Sequence, residues 1–255
     1  MSVAQVDGHG RLRHLLTLDG LASEVLLRLL DRAQQLAGHA QGGIELRHTL
    51  AGKAVCTLFF EPSMRTRSSF QLAATRLGAD TFNFDASTSS TTKGETAIDT
   101  LKSIEAMGVR GFAIRHQADG AVAALAGAAD AGTVLINAGD GRSAHPTQGL
   151  LDMLTLRQAK GADFAALKVL IVGDVRHSRV ARSDLHALRT LGARDIRICA
   201  PRALLPVDDT LHGCIVTEDF NAALDGVDAV MMLRLQRERM QEGLVASIDD
   251  YHRDY

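Results

Sequence analysis

Tryptophan is absent and tyrosine occurs only twice in 255 residues. A chain so poor in large aromatic rings offers no stacking platform for single-stranded nucleic acid. Its net charge of −2 gives no bulk electrostatic pull toward nucleic acid or an anionic membrane surface. Cysteine is also scarce. Cys56, Cys199 and Cys214 cannot form a disulfide framework in a chain of this size, and the first two sit inside apolar, strand-like runs. That pattern predicts reduced, buried thiols and a cytoplasmic protein. No apolar run approaches the roughly 20 residues of a membrane span. The opening stretch "MSVAQVDGHGRLRHLLTL" has no signal-peptide apolar core. Proline-rich linkers, repeats and low-complexity tracts are missing as well.

What is present is alternation. "KAVCTLFF", "DTFNF", "GFAIR" and "TVLINAG" read as strands, separated by helical patterns at 66–78, 95–108 and 120–130. On the first of these helices Phe70, Ala73, Ala74 and Leu77 share one face and Gly78 is a stop; on the second the apolar stripe runs through Ile98, Leu101 and Ile104 or Glu105. A long helix follows with Pro146 at its first position. Then the pattern restarts at Lys168 with strand "KVLIVGD", a helix over 178–192, and strands "DIRICAP" and "VDAVMMLR". Alternation of this kind predicts an α/β chain with two doubly wound parallel-sheet domains, 1–157 and 158–255, joined by the shared helix 146–160. Ligands of such sheets sit beyond the carboxyl ends of strands.

Six polar clusters stand at or after strand ends. In "FFEPSMRTRSSF", Pro62 breaks the strand and Ser63 is placed to cap the next helix. A helix start binds anions through free backbone N–H groups, and Arg65, Arg67, Ser63 and Thr66 add charge and hydroxyl donors. "STSSTTKGET" is a polar loop carrying Lys93, in the wrong order for a Walker loop. Arg115 ends a strand. In "GDGRSAHPTQ", His145 precedes a helix whose dipole favours neutral imidazole, able to polarise a carbonyl, with the Gln148 amide one turn on. No second metal-ligating side chain is suitably spaced nearby, which argues against a metal. "VGDVRHSRVAR" has the position of a dinucleotide fingerprint without its glycines, which argues against NAD. It carries Arg176, Arg179 and Arg182, and Arg179 is placed either to bind a carboxylate or to lie on an exposed helix face. Arg234 and Gln236 are two apart and share a side if that segment is extended. Such donors suit substrates bearing a phosphate and a carboxylate.

The chain resembles the catalytic chains of the aspartate carbamoyltransferase family. "FFEPSMRTRSSF" looks like that family's phosphate loop, and "KGET", "HPTQGLLD", "VGDVRHSR" and "LRLQRER" follow in the family's order. The resemblance implies a cofactor-free transfer of the carbamoyl group from carbamoyl phosphate to L-aspartate, in pyrimidine synthesis. It implies that Ser63, the backbone of Met64, Arg65, Thr66 and Arg115 hold the phosphate. Thr66, Arg115 and His145 would then polarise the carbamoyl oxygen, with Gln148 on the carbamoyl amide. Arg179, Arg234 and Gln236 would hold the aspartate carboxylates. Ser89 and Lys93 match residues supplied by a neighbouring subunit of a homotrimer. Whether regulatory or dihydroorotase-like chains attach is left open. Two departures stand out: Met64 replaces the family's Thr, and the family's later His-Pro-x-Pro loop and terminal helix are absent. The second domain is therefore expected to be C-terminally truncated. The alternatives are a carbamoyltransferase for another amine such as ornithine, or a non-catalytic subunit of the same fold.

Overall fold

The computed structural model describes residues 3–39, 45–85 and 95–236. In chain order these contain α1 (Ser23–His39), β1 (Ala54–Phe59), α2 (Met64–Arg76), β2 (Asp80–Asp85), α3 (Ala97–Ala106), β3 (Gly111–His116), α4 (Ala121–Ala128), β4 (Val134–Asp140) and α5 (Pro146–Lys160). They continue with β5 (Lys168–Val172), α6 (Arg179–Thr190), β6 (Asp195–Cys199), β7 (Ile215–Thr217), α7 (Phe220–Leu224) and β8 (Ala229–Met232). The strands form two four-stranded sheets, ordered β2-β1-β3-β4 and β7-β6-β5-β8. Strand pairing is parallel throughout both. The α/β reading with two parallel sheets is therefore what the chain forms. One compact unit comprises the N-terminal segment to Thr17 with Ala33–Thr147, and the other Leu18–Arg32 with the chain from Gln148 on.

In the first unit, the central strands β1 and β3 are buried because both their faces are covered, which is why they read as continuous apolar runs. Cys56, Leu58, Phe112, Ile114 and Leu135 pack against Leu101 and Ile104 of α3 and Val122 and Leu125 of α4. Residues before the first helix extend the sheet: Leu15 pairs in parallel with Ile136, and buried Asn137 donates its amide to Leu16 O at 2.8 Å. A capping box between Thr96 and Asp99 starts α3. Two expectations about helix faces change. Ile98 is 42 % exposed, while Leu101, Ile104 and Glu105 are all buried. On α2 only Ala74 is buried, so the Phe70–Leu77 stripe is not fully covered among the described residues.

In the second unit β5 is buried from Val169 to Val172. Leu170, Val172 and Cys199 pack with Ala223 and Phe220 of α7. The elements β7 and α7 have no counterpart in the sequence reading, because three and five residues are too short for a period to register. Gly149 lets α5 approach α6 closely: a Cβ there would stand 2.8 Å from Leu18 Cδ1 and 3.1 Å from Ser183 Cβ.

The strand orders locate two crevices. From β1 the chain moves to β2 on one side and then returns to place β3 on the other. From β5 it moves to β6 and β7, then returns to place β8 on the other side. Where winding reverses, the connecting loops leave in opposite directions and open a crevice at the carboxyl ends of the two strands.

Beside β3, the end of β4 is held by Asp140, whose carboxylate accepts backbone N–H groups of Ala121, Gly120 and Val122 at the start of α4. Burial is the larger influence and pushes this carboxyl up from 3.8 to about 6. In the unfolded chain it ionises near pH 4. Stability is therefore full below that pH and is lost as pH rises through about 6, by at most about 3 kcal/mol. Asp140→Asn should flatten this dependence. Chemical denaturation at pH 4.5 and 7.5 checks it, and parallel behaviour of the variant and the parent protein would contradict the assignment.

Candidate active site

The first crevice lies at the ends of β1 and β3. Phe59 and Arg115 are paired across these strands, and the Phe60 N–H donates to Arg115 O at 2.8 Å. The 60–63 turn and Arg115 thus share one edge. Ser63 is the N-cap of α2 by position, with extended backbone, but its side chain makes no capping hydrogen bond. That corrects the expected hydroxyl cap. The first bond of the helix runs from Arg67 N–H to Ser63 O. The N–H groups of Met64, Arg65 and Thr66 precede it, and no acidic side chain occupies the first turn. Arg65 is exposed and Thr66 half-buried.

Arg115 is 12 % exposed and donates from Nη2 to Glu61 Oε1 at 2.7 Å. Glu61 was not singled out in the sequence, although it stands inside the phosphate-loop stretch. A carboxylate three residues before an anion-binding helix start was the available signal. Register also changes beside Arg115. Ile114 pairs with Asn137 but His116 with Asp140, so two steps along β3 match three along β4. Such an irregularity re-aims side chains at a sheet edge.

The β4 end turns sharply through Gly141, whose φ is +49° and whose Cβ would collide with Asp119. An Asp140–Ala144 bridge closes the turn. His145 follows, 7 % exposed, with Nδ1 3.4 Å from Thr147 Oγ1, and Pro146 is the first residue of α5 as expected. On the same helix, Gln148 donates from Nε2 to Asp152 Oδ1 at 2.9 Å.

The second crevice lies at the ends of β5 and β8. Ser178 caps α6 by accepting from Ala181 N–H at 3.1 Å. Arg179, the first residue of α6, is only 3 % exposed, so the exposed-face alternative does not hold. Arg176 donates to Ala203 O at 3.3 Å, and Arg182 pairs with Asp208 at 3.0 Å. Asp174, fully buried, joins the two strand ends. Its Oδ1 accepts the His177 N–H at 3.2 Å and faces His177 Nδ1 at 2.8 Å, while Oδ2 accepts the Gln236 N–H at 3.0 Å. Leu235 packs with Ala200 and Leu204. Arg234 is exposed, whereas Gln236 is buried with Nε2 3.3 Å from Arg234 O. The role of Asp174 was missed in the sequence, where "VGD" was read only against a dinucleotide fingerprint. Ser89 and Lys93 lie outside the described residues.

A family model described as "Aspartate/ornithine carbamoyltransferase, carbamoyl-P binding domain" matches residues 13–158. The chain belongs to this family. Among carbamoyltransferases, it is 72 % identical over 256 residues to the aspartate carbamoyltransferase catalytic subunit of Stenotrophomonas maltophilia, covering 100 % of this chain and 81 % of that protein. It is similar in structure to aspartate transcarbamoylase from Trypanosoma cruzi in complex with carbamoyl phosphate and aspartate. That TM-score is 0.84 at 28 % identity, covering 98 % of this chain and 79 % of the other. Ornithine carbamoyltransferase from Thermus thermophilus superposes with a TM-score of 0.78 at 30 % identity, covering 90 % of this chain and 76 % of the other.

Because Asp174 accepts the Gln236 N–H, Asp174→Ala should speed hydrogen exchange at the Gln236 amide by about tenfold or more, the equivalent of one hydrogen bond to a charged group. Exchange at the parent rate would show that packing of Leu235 holds the segment by itself.

Proposed function

We infer that the chain transfers the carbamoyl group of carbamoyl phosphate to the amine of L-aspartate, giving N-carbamoyl-L-aspartate and phosphate in pyrimidine synthesis. The observation that carries this reading is the 72 % identity, over the whole chain, to proteins named as aspartate carbamoyltransferase catalytic subunits. The anion donors at both crevices support it. The same identity favours aspartate over ornithine as acceptor.

In this reading the first unit takes carbamoyl phosphate. The Ser63 hydroxyl, the N–H groups of Met64, Arg65 and Thr66, and the Arg65 and Arg115 guanidiniums bind the phosphate. The Arg115–Glu61 pair opens or shares its donors when a dianion arrives, since the dianion offers Arg115 more negative charge than one carboxylate. Thr66, Arg115 and His145 donate to the carbamoyl oxygen, and the Gln148 amide fixes the carbamoyl NH₂. The second unit takes aspartate through Arg179, Arg234 and Gln236. The amine attacks the carbamoyl carbon, a C–N bond forms, the C–O bond to phosphate breaks, and the amine proton passes to the departing phosphate. Donors already aimed at the oxygens that gain charge lower the barrier without reorganising. These steps call on no metal or organic cofactor. Ser89 and Lys93 enter from a neighbouring subunit of a homotrimer, so each site is completed by a second copy. The compartment is the cytoplasm, supported by buried Cys56 and Cys199 in the two sheets.

A colorimetric assay for carbamoyl aspartate tests the reaction. Product should form with both substrates present and with neither alone, and citrulline should not form when ornithine replaces aspartate. No product with aspartate would reject the reading. Met64 is the first residue of α2 and its side chain is 76 % exposed, so it packs into no core and contributes its N–H. Met64→Thr adds a hydroxyl donor without a packing cost and should lower the KM for carbamoyl phosphate about tenfold. An unchanged KM would show that position 64 acts through its backbone alone.

A further inference from the structure

The second unit sets a fully buried carboxyl, Asp184, near a half-buried one, Asp152. Asp184 in α6 is fully buried, and among the described residues neither of its oxygens receives a hydrogen bond from a donor group. The side chain that bears on it is Asp152 of α5, whose charge raises the Asp184 carboxyl beyond what burial does. Gly149 lets α5 approach Ser183 of α6 closely, and Asp152 lies one turn beyond Gly149 while Asp184 follows Ser183. Two carboxylates cannot both ionise at such a contact in a dry environment, so one of them keeps its proton. Asp152 is only half-buried and accepts the Gln148 Nε2–H at 2.9 Å, which favours its ionised form. Asp184 has no such compensation. Burial pushes its carboxyl well above the ordinary range, and the charge of Asp152 adds to that, whereas Asp152 is raised by burial and partly relieved by Gln148 and Asp184.

We propose that a proton retained on Asp184 is donated to Asp152, and that ionised Asp152 is a positioning residue that holds the Gln148 amide with its nitrogen inward and its oxygen outward. An ionised carboxylate only accepts, so it can face the amide nitrogen but not the amide oxygen. Gln148 Oε1 is then turned away from Asp152 as an acceptor, the polarity required by an incoming carbamoyl NH₂. This rests on the role of Gln148 in the proposed function. It extends that role by naming the two residues, on two helices, that set which end of the amide the substrate meets.

The readout is selectivity between carbamoyl phosphate and acetyl phosphate, which differ by NH₂ against CH₃, measured as a ratio of dissociation constants on the full chain with inorganic phosphate as reference. The parent protein should prefer carbamoyl phosphate by about tenfold, one hydrogen bond to a well-placed acceptor. In Asp152→Asn, protonated Asp184 takes the amide oxygen of the new side chain and leaves its NH₂ toward Gln148, which turns Gln148 over. Selectivity should fall toward one while inorganic phosphate binds as before, a change that loss of packing alone would not produce. Asp184→Asn still donates to Asp152 and should keep the parent ratio, whereas Asp184→Leu should lose it. Should the Leu variant fail to fold, the two Asn variants decide by themselves. Full selectivity in Asp152→Asn overturns the proposal. If the parent binds inorganic phosphate but does not distinguish the two acyl phosphates, the role assigned to Gln148 falls first and this inference with it.

Discussion

In a parallel sheet every strand delivers the chain to the same edge, and the loops there can part only where the winding changes direction. That constraint governs the rest of this protein. Each sheet reverses once, between β1 and β3 in the first and between β5 and β8 in the second. The residues gathered at these two places are Ser63–Thr66 with Arg115, and Arg179 with Arg234 and Gln236. Helix starts follow β1 and β5, so each crevice also receives the positive end of a helix, α2 or α6.

The polar side chains divide by whether the fold consumes them. Arg182 is held by Asp208 and Arg142 by Asp119, partly exposed pairs that add little stability but fix a loop. Arg179 and Arg115 are different, being buried or nearly so at the carboxyl edge of a sheet. Buried carboxyl groups do the bracing: Asp174 joins β5 to the segment after β8, and Asp140 joins β4 to α4. The buried thiols stay protonated near neutral pH. Burial pushes Cys56 up to about 12 and Cys199 to about 11, so neither is a thiolate nucleophile near neutral pH. A direct displacement at the carbamoyl carbon calls on neither of them.

Much of the architecture could be read from the chain because long elements carry their own period. The strands around Cys56, Ile114, Leu135 and Leu170 are apolar on both faces, and Pro146 and Gly78 mark a helix start and stop through backbone geometry alone. Short β7 and α7 were not legible, since neither completes enough turns or alternations to stand out. The exposed Ile98 and the open face of α2 show the limit of periodicity: it identifies a stripe but not whether anything in the same chain covers it.

By itself the sequence determined which side chains stand at the strand ends, and arginine, histidine and amide groups there are donors that suit anions. It also determined the α/β alternation, because hydrophobic period is a local property. Tertiary structure alone decided strand order, and with it which strand ends lie together. It alone showed that Glu61 lies on Arg115, that Asp174 ties Gln236 in place, and that Asp184 reaches Asp152. Those pairings join residues from 32 to 62 positions apart in the chain, and no local pattern encodes which distant group a side chain will meet once helices and strands have packed.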